Sequence, residues 1–245
     1  RSATRGRSFL ATGLLVLLGG YFGLLFLGLG WLYPTVMEEI APQTDPLRLL
    51  NAYLLHGLIG LTVGRFFLQR SAGSALQPYL SLPIRQGKLV RILQFVSALS
   101  LFNLLPVVLL TALWGSTVWP TASPTGAACW AVGALLAVAF TEFANGFLRA
   151  VWDRNATLVL GGAGGLAGLV AIGQAVGVNV LSPVSAWLFG GLGAGAVVPL
   201  AVLGTATAGM AVAAHRSLRG RRYAVLERAS GWSLSSVVPT RLLDG

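Results

Sequence analysis

The chain has 245 residues, of which 55% are hydrophobic and only 10% charged, and its mean hydropathy is +0.76. Soluble domains carry about 25% charged residues, so this composition excludes a disordered chain and argues against an ordinary soluble enzyme. Seventeen Lys and Arg against seven Asp and Glu give a net charge of +10, while the single cysteine, Cys129, excludes a disulfide framework or thiolate-rich metal site.

Six apolar stretches follow one another, at about 9–32, 49–68, 92–114, 126–148, 158–180 and 186–214. Each approaches the roughly 20 residues that cross a hydrocarbon core about 30 Å thick. Lipid offers no partners to exposed backbone groups, so every stretch is expected to be helical. The fold class expected is all-α: a polytopic membrane protein with six transmembrane helices in residues 1–215. The first stretch is too long for a cleavable leader and no cleavage site follows it. Because the chain begins at Arg1 and not at Met, part of the natural N-terminus is expected to precede it.

The basic residues give the expected orientation. Arg1, Arg5 and Arg7 precede the first stretch, and Arg65, Arg70, Arg85, Lys88 and Arg91 lie between the second and third. Arg149 and Arg154 separate the fourth and fifth, and six arginines follow the sixth. Only Arg48 falls on the opposite side. By the positive-inside rule both ends and the two basic loops are cytoplasmic. This also gives the high pI a topological origin, without a nucleic-acid partner. The segment 216–245 is then a basic cytoplasmic tail or linker.

The longest cytoplasmic connection, 69–91, reads QRSAGSALQPYLSLPIRQGKLVR. Pro83 ends any short helix before it. Arg85, Lys88 and Arg91 recur every three residues and so share a face of the helix that follows. Two readings remain open: bases resting on anionic headgroups, or a short helix offered to a cytosolic partner. Leu82, Pro83, Ile84, Arg85, Lys88 and Arg91 are the docking residues of the second reading.

The six-span layout with an LP-I-x-x-x-K loop between spans two and three resembles the membrane subunit of type-2 ABC exporters. The runs Asp45-Pro46-Leu47, Arg65-Phe66-Phe67-Leu68-Gln69, Pro78 to Ile84 and Leu101-Phe102-Asn103-Leu104-Leu105-Pro106 are similar to an uncharacterised permease-like family. That family is found in Bacteroidetes and their relatives. The resemblance covers about residues 1–160, and the remainder by topology alone. It implies a permease subunit in a bacterial inner membrane, whose loop after span two contacts a separate P-loop ATPase. ATP and Mg would then sit on that partner, with no cofactor in this chain. Such proteins are typically longer, which implies either a homodimer or the first half of a longer permease.

Within the spans, ionisable and amide groups are costly and mark functional hypotheses. Glu142 and Asn145 share a face of span four, with Arg149 one turn on, and suggest a local cluster or a gating contact. His56 in span two and Asn103 in span three are expected to hydrogen-bond between helices. His56 has no second ligand within helical reach, so no metal site is expected. Pro106 and Pro199 are expected to kink spans three and six. The pairs Gly161/Gly165, Gly164/Gly168 and Gly191/Gly195 permit close helix contact, within the chain or across a dimer. Trp31, Trp119, Trp130, Trp152 and Trp187 are placed at membrane boundaries.

There is no GxxxxGK[ST] loop, HExxH, GxSxG or paired-carboxylate site. The expected function is therefore a transport subunit that is not itself an enzyme. The alternative is a non-transporting scaffold that docks a cytosolic partner through the same loop. An intramembrane enzyme is disfavoured, because no second catalytic group accompanies Glu142 or His56.

Overall fold

The computed structural model describes residues 2–68, 92, 95, 97, 100–175 and 179–219. The docking residues Leu82, Pro83, Ile84, Arg85, Lys88 and Arg91 and the tail beyond residue 219 lie outside these. The described elements are helical throughout, as an apolar chain in lipid requires.

Local capping sets where the helices start. Helix α1 spans Ser2–Ile40 and helix α2 spans Pro46–Leu68. Asp45 caps α2: its Oδ1 accepts the Leu47 N–H at 3.0 Å, and Pro46 fills the first position, where no N–H is needed. Helix α3, Leu101–Leu113, runs on through a π-helical turn, Trp114–Val118, to Thr121. Helix α4, Pro124–Trp152, repeats the device of α2, with the Ser123 hydroxyl accepting the Gly126 N–H at 3.1 Å. Helix α5 is Ala156–Ala175. Helix α6, Leu181–Ser185, continues through a second π turn to Gly193, and α7 is Val197–Arg219.

Five of these helices contain segments long and apolar enough to cross a membrane: Val16–Ile40, Pro46–Leu68, Phe102–Thr121, Pro124–Trp152 and Val197–Ser217. The chain is a multi-pass membrane protein. The stretch expected at 158–180 coincides with α5, whose described part includes a shorter apolar run, Ala156–Gly165.

The stretch expected as one span over 186–214 is two helices. The N–H of Gly195 bonds to the Leu192 carbonyl at 2.8 Å and that of Ala196 to the Gly191 carbonyl at 2.8 Å. Gly195 itself has φ 78. This is a Schellman cap, in which glycine takes the left-handed position that a side chain would strain. The break also moves Pro199 into the first turn of α7, where its missing N–H goes unnoticed. It does not sit mid-span as a kink.

Helix α4 is the axis of the bundle, 44% of its spanning window being buried against 6% for α1. Its broadest contact is with α7, and the two run parallel. Gly195 lies beside Gly126, the Thr207 hydroxyl donates to the Leu136 carbonyl at 3.1 Å, and Ala214 faces Gly146. The crossing at the top is tight: a Cβ on Gly126 would come 2.0 Å from the Gly193 carbonyl oxygen. On the other flank α1 leans on α3, where a Cβ on Gly30 would sit 2.6 Å from that of Ala112. By contrast Gly161, Gly164, Gly165 and Gly168 face open space, and so make no close contact among the described residues. Of the expected glycine pairs, only Gly191 and Gly195 meet neighbours, Pro199 and Gly126.

The densest packing lies at the end of the bundle that carries Pro46, Ser123 and Gly195. Val118, Ala127, Trp130, Phe189 and Leu192 are all fully buried there. Trp130 is thus a core residue, not a boundary residue, and its indole N–H donates to Asn51 Oδ1 at 3.0 Å. The Ser185 hydroxyl of α6 seats on the ladder of α2. It accepts the Leu55 N–H at 3.1 Å and donates to the Asn51 carbonyl at 2.6 Å. Trp31, Trp119 and Trp187 stay exposed, as residues in contact with an interface should.

Candidate functional site at Arg65 and Glu142

The opposite end of the bundle is polar. Arg65, in the last turn of α2, is 1% exposed. A guanidinium removed from water must be surrounded by acceptors, because an unpaired buried charge is costly. Its Nη1 donates to Thr141 Oγ1 at 3.2 Å and pairs with Glu142 Oε2 at 3.3 Å, both on α4. Its Nη2 donates to the Phe102 carbonyl and to Asn103 Oδ1, both on α3. Its Nε has no partner among the described residues.

Glu142 collects three donors. Besides Arg65, the Asn103 amide donates to Oε2 at 3.1 Å and the Ser97 hydroxyl donates to Oε1. Asn103 also donates to the Ser97 carbonyl at 3.0 Å, which fixes the orientation of its amide. One ion pair therefore fastens α2, α3 and α4 together. The Glu142 side chain is 14% exposed, so the node reaches the edge of the packed region.

A second arginine reinforces the same end. Arg149 lies two turns beyond Glu142 on α4, and its Nε donates to Asn145 Oδ1 at 3.3 Å. Its Nη2 donates to the carbonyls of Arg65 and Phe66 at 2.9 and 2.8 Å. Those carbonyls close the C-terminus of α2, where a cation also complements the helix dipole. The guanidinium sits 5.7 Å from the Phe66 ring centre, and Trp152 meets that ring edge-on at 5.4 Å.

The expected cluster of Glu142, Asn145 and Arg149 is thus divided. Asn145 does bond Arg149, whereas Glu142 turns to Arg65, Ser97 and Asn103. Asn103 bonds between helices. His56 instead packs its ring on Tyr53 at 5.4 Å, and its buried Nδ1 has no partner among the described residues. Arg65, counted from sequence as a flanking charge, is the centre of the node. The signal was present: Arg65 is the basic residue inside span two, Glu142 is the acid inside span four, and intramembrane charges pair.

Chemically the node can hold helices together and let them part. The Glu142 carboxylate that the Ser97 hydroxyl donates to is already paired with Arg65 and Asn103. Among the described residues no three His, Cys, Asp or Glu gather as a metal set.

No curated protein and no solved structure matches the chain. Residues 1–230 match a family described as a family of unknown function, DUF5687, and the chain belongs to that family.

Proposed function

We propose that the chain is the permease subunit of an ABC-type exporter in a bacterial inner membrane, driven by a separate P-loop ATPase. The observation that carries this reading is where the 69–91 loop is attached. It leaves α2 four residues after Arg65 and leads to Ser97 and Asn103, so both its ends are tied to one buried ion pair. A partner that grips the loop pulls on the node, and through Glu142 on the axial helix α4.

Six crossings with both ends cytoplasmic fit the same reading. Helices α4 and α7 run parallel, which supports a return crossing between them, with α5 as the long helix available for it. Helix α6 then dips into the outer end, and the closely packed core around Trp130 closes the protein on the outside. The Arg65–Glu142 node faces the cytoplasm. ATP-driven movement of the loop would part the inner ends of the helices while the outer ends stay packed.

The chain is expected to co-purify with the P-loop ATPase encoded beside its gene. Replacing Pro83, Arg85 and Lys88 together by alanine is expected to abolish that capture. Capture that survives the triple substitution refutes the docking loop, and an ATPase rate indifferent to this chain favours a scaffold.

A further inference from the structure

Leaving α5 aside, the side-chain hydrogen bonds and close packing group the described helices into two bodies. Helices α1 and α3 form one, joined at Gly30 and by the Ser116 hydroxyl, which donates to the Gly30 carbonyl at 2.9 Å. Helices α2, α4, α6 and α7 form the other, through Arg65 with Thr141 and Glu142, Asn51 with Trp130 and Ser185, and Thr207 with Leu136.

Between the bodies the described hydrogen bonds gather at two ends. At the apolar end the Tyr33 hydroxyl donates to the Pro46 carbonyl at 3.2 Å and the Trp114 indole donates to the Ala127 carbonyl at 2.9 Å. At the other end Arg65 and Glu142 hold Ser97, the Phe102 carbonyl and Asn103. Along the seam between α3 and α4 lies a cleft of about 180 Å³, lined by Val107, Leu110, Trp114, Trp130, Ala134 and Leu135 among others. The seam is thus bonded at its ends and loosely filled in its middle.

We infer that the protein opens along this α3–α4 seam, pivoting at Trp114 and Ala127 and unlatching where Ser97 and Asn103 leave Glu142 and Arg65. The inference rests on the transport reading for its purpose, while its geometry stands on the packing. Three features make the motion physically cheap. Arg65 and Glu142 belong to the same body, so they stay paired when the seam opens and no charge is orphaned. What is lost is a set of hydrogen bonds, and groups freed at the edge of the bundle meet water. The cleft lessens the apolar contact to be broken, which is confined mainly to Leu110 and Leu113 of α3 where they join the core of Trp130, Ala134 and Val138. The 69–91 loop joins α2 in one body to α3 in the other, so a pull on it acts across the seam.

Spin labels measure this directly in the full chain, in lipid nanodiscs, on a Cys129→Ala background without any ATPase. One pair, at Leu104 and Arg154, spans the latch end; another, at Thr121 and Val198, spans the pivot end. All four positions are exposed. Ser97→Ala removes a bond across the seam, and Glu142→Gln weakens the two that Glu142 accepts there, from Ser97 and Asn103, whereas Thr141→Val removes a bond within one body. The first two are expected to add a longer-distance population to the latch pair and leave the pivot pair unchanged. Thr141→Val is expected to change neither. Unchanged latch distances in both Ser97→Ala and Glu142→Gln overturn the seam. Equal changes at both ends, or a Thr141→Val effect matching that of Ser97→Ala, overturn it as well. Because no ATPase is present, this result is independent of whether the docking loop binds one.

Discussion

Glu142→Ala is expected to lower the unfolding free energy by about 3–5 kcal/mol, the usual cost of removing one partner of a buried ion pair. The cause is Arg65, 1% exposed, whose charge would be left with only neutral acceptors: Thr141, Asn103 and the Phe102 carbonyl. Ser97 and Asn103 would lose an acceptor in the same step. The 14% exposure of the carboxylate side chain places the loss towards the lower part of that range, since water reaches it. Replacing both charges, as Arg65→Met with Glu142→Leu, should cost much less than the sum of the single changes. In that double variant no charge remains buried, and matched apolar pairs often do as well as the ion pair they replace. Equilibrium unfolding in mild detergent, followed by tryptophan fluorescence, gives the four corners of this cycle. Additive costs at the two positions would mean that the pair contributes no coupling.

The second large effect belongs to Trp130. Trp130→Ala is expected to cost about 3–5 kcal/mol through loss of burial and the cavity it leaves. The indole is fully buried among Ala127, Ala134, Leu188 and Leu192 in the densest part of the bundle. Trp130→Phe keeps most of the apolar volume but removes the N–H that Asn51 Oδ1 accepts. Its cost should be about 1–3 kcal/mol, that of an unsatisfied buried acceptor. The ratio of the two losses, read from the same unfolding transitions, separates packing from hydrogen bonding at this junction. Equal losses for the two variants would mean that the hydrogen bond, not the volume, holds α2 to α4.

Much of the architecture was legible from the chain because the features that set it are local. Asp45-Pro46 and Ser123-Pro124 are cap-and-proline pairs, and α2 and α4 start at them. Five of the six expected apolar stretches overlap helices long and apolar enough to cross a membrane. What stayed hidden depends on contacts between distant segments. Arg65 read as one more flanking base, because a charge count weights every arginine at a span end alike. Only the meeting of α2 with α4 reveals that it is buried. Trp130 looked like a boundary residue because it lies near the start of a span, yet it is fully buried and its indole turns to Asn51 of α2. The break at Ala194-Gly195-Ala196 escaped hydropathy altogether, since alanine and glycine keep the run apolar. There the deciding quantity is a backbone angle, the φ 78 of Gly195. With Pro199 four residues further on, the glycine did carry the composition of a helix stop followed by a restart.

The Arg65–Glu142 node joins three helices at the polar end of the bundle. It ties the last turn of α2 to the start of α3 and to the C-terminal half of α4. Arg149 locks the end of α2 to α4 a second time through its carbonyls. On the proposed reading, a partner pulling on the 69–91 loop would act on the α2–α4 pair on one side and on α3 on the other.

The most direct test is the hydrolysis rate of the proposed partner, the P-loop ATPase encoded beside the gene, reconstituted with this chain in proteoliposomes. A permease coupled through the loop predicts that the unsubstituted chain raises the rate. Glu142→Gln should retain ATPase binding but lose that stimulation, because the loop would no longer pull against a closed node. A rate that is the same with the unsubstituted chain, with Glu142→Gln and with no membrane subunit would contradict the account.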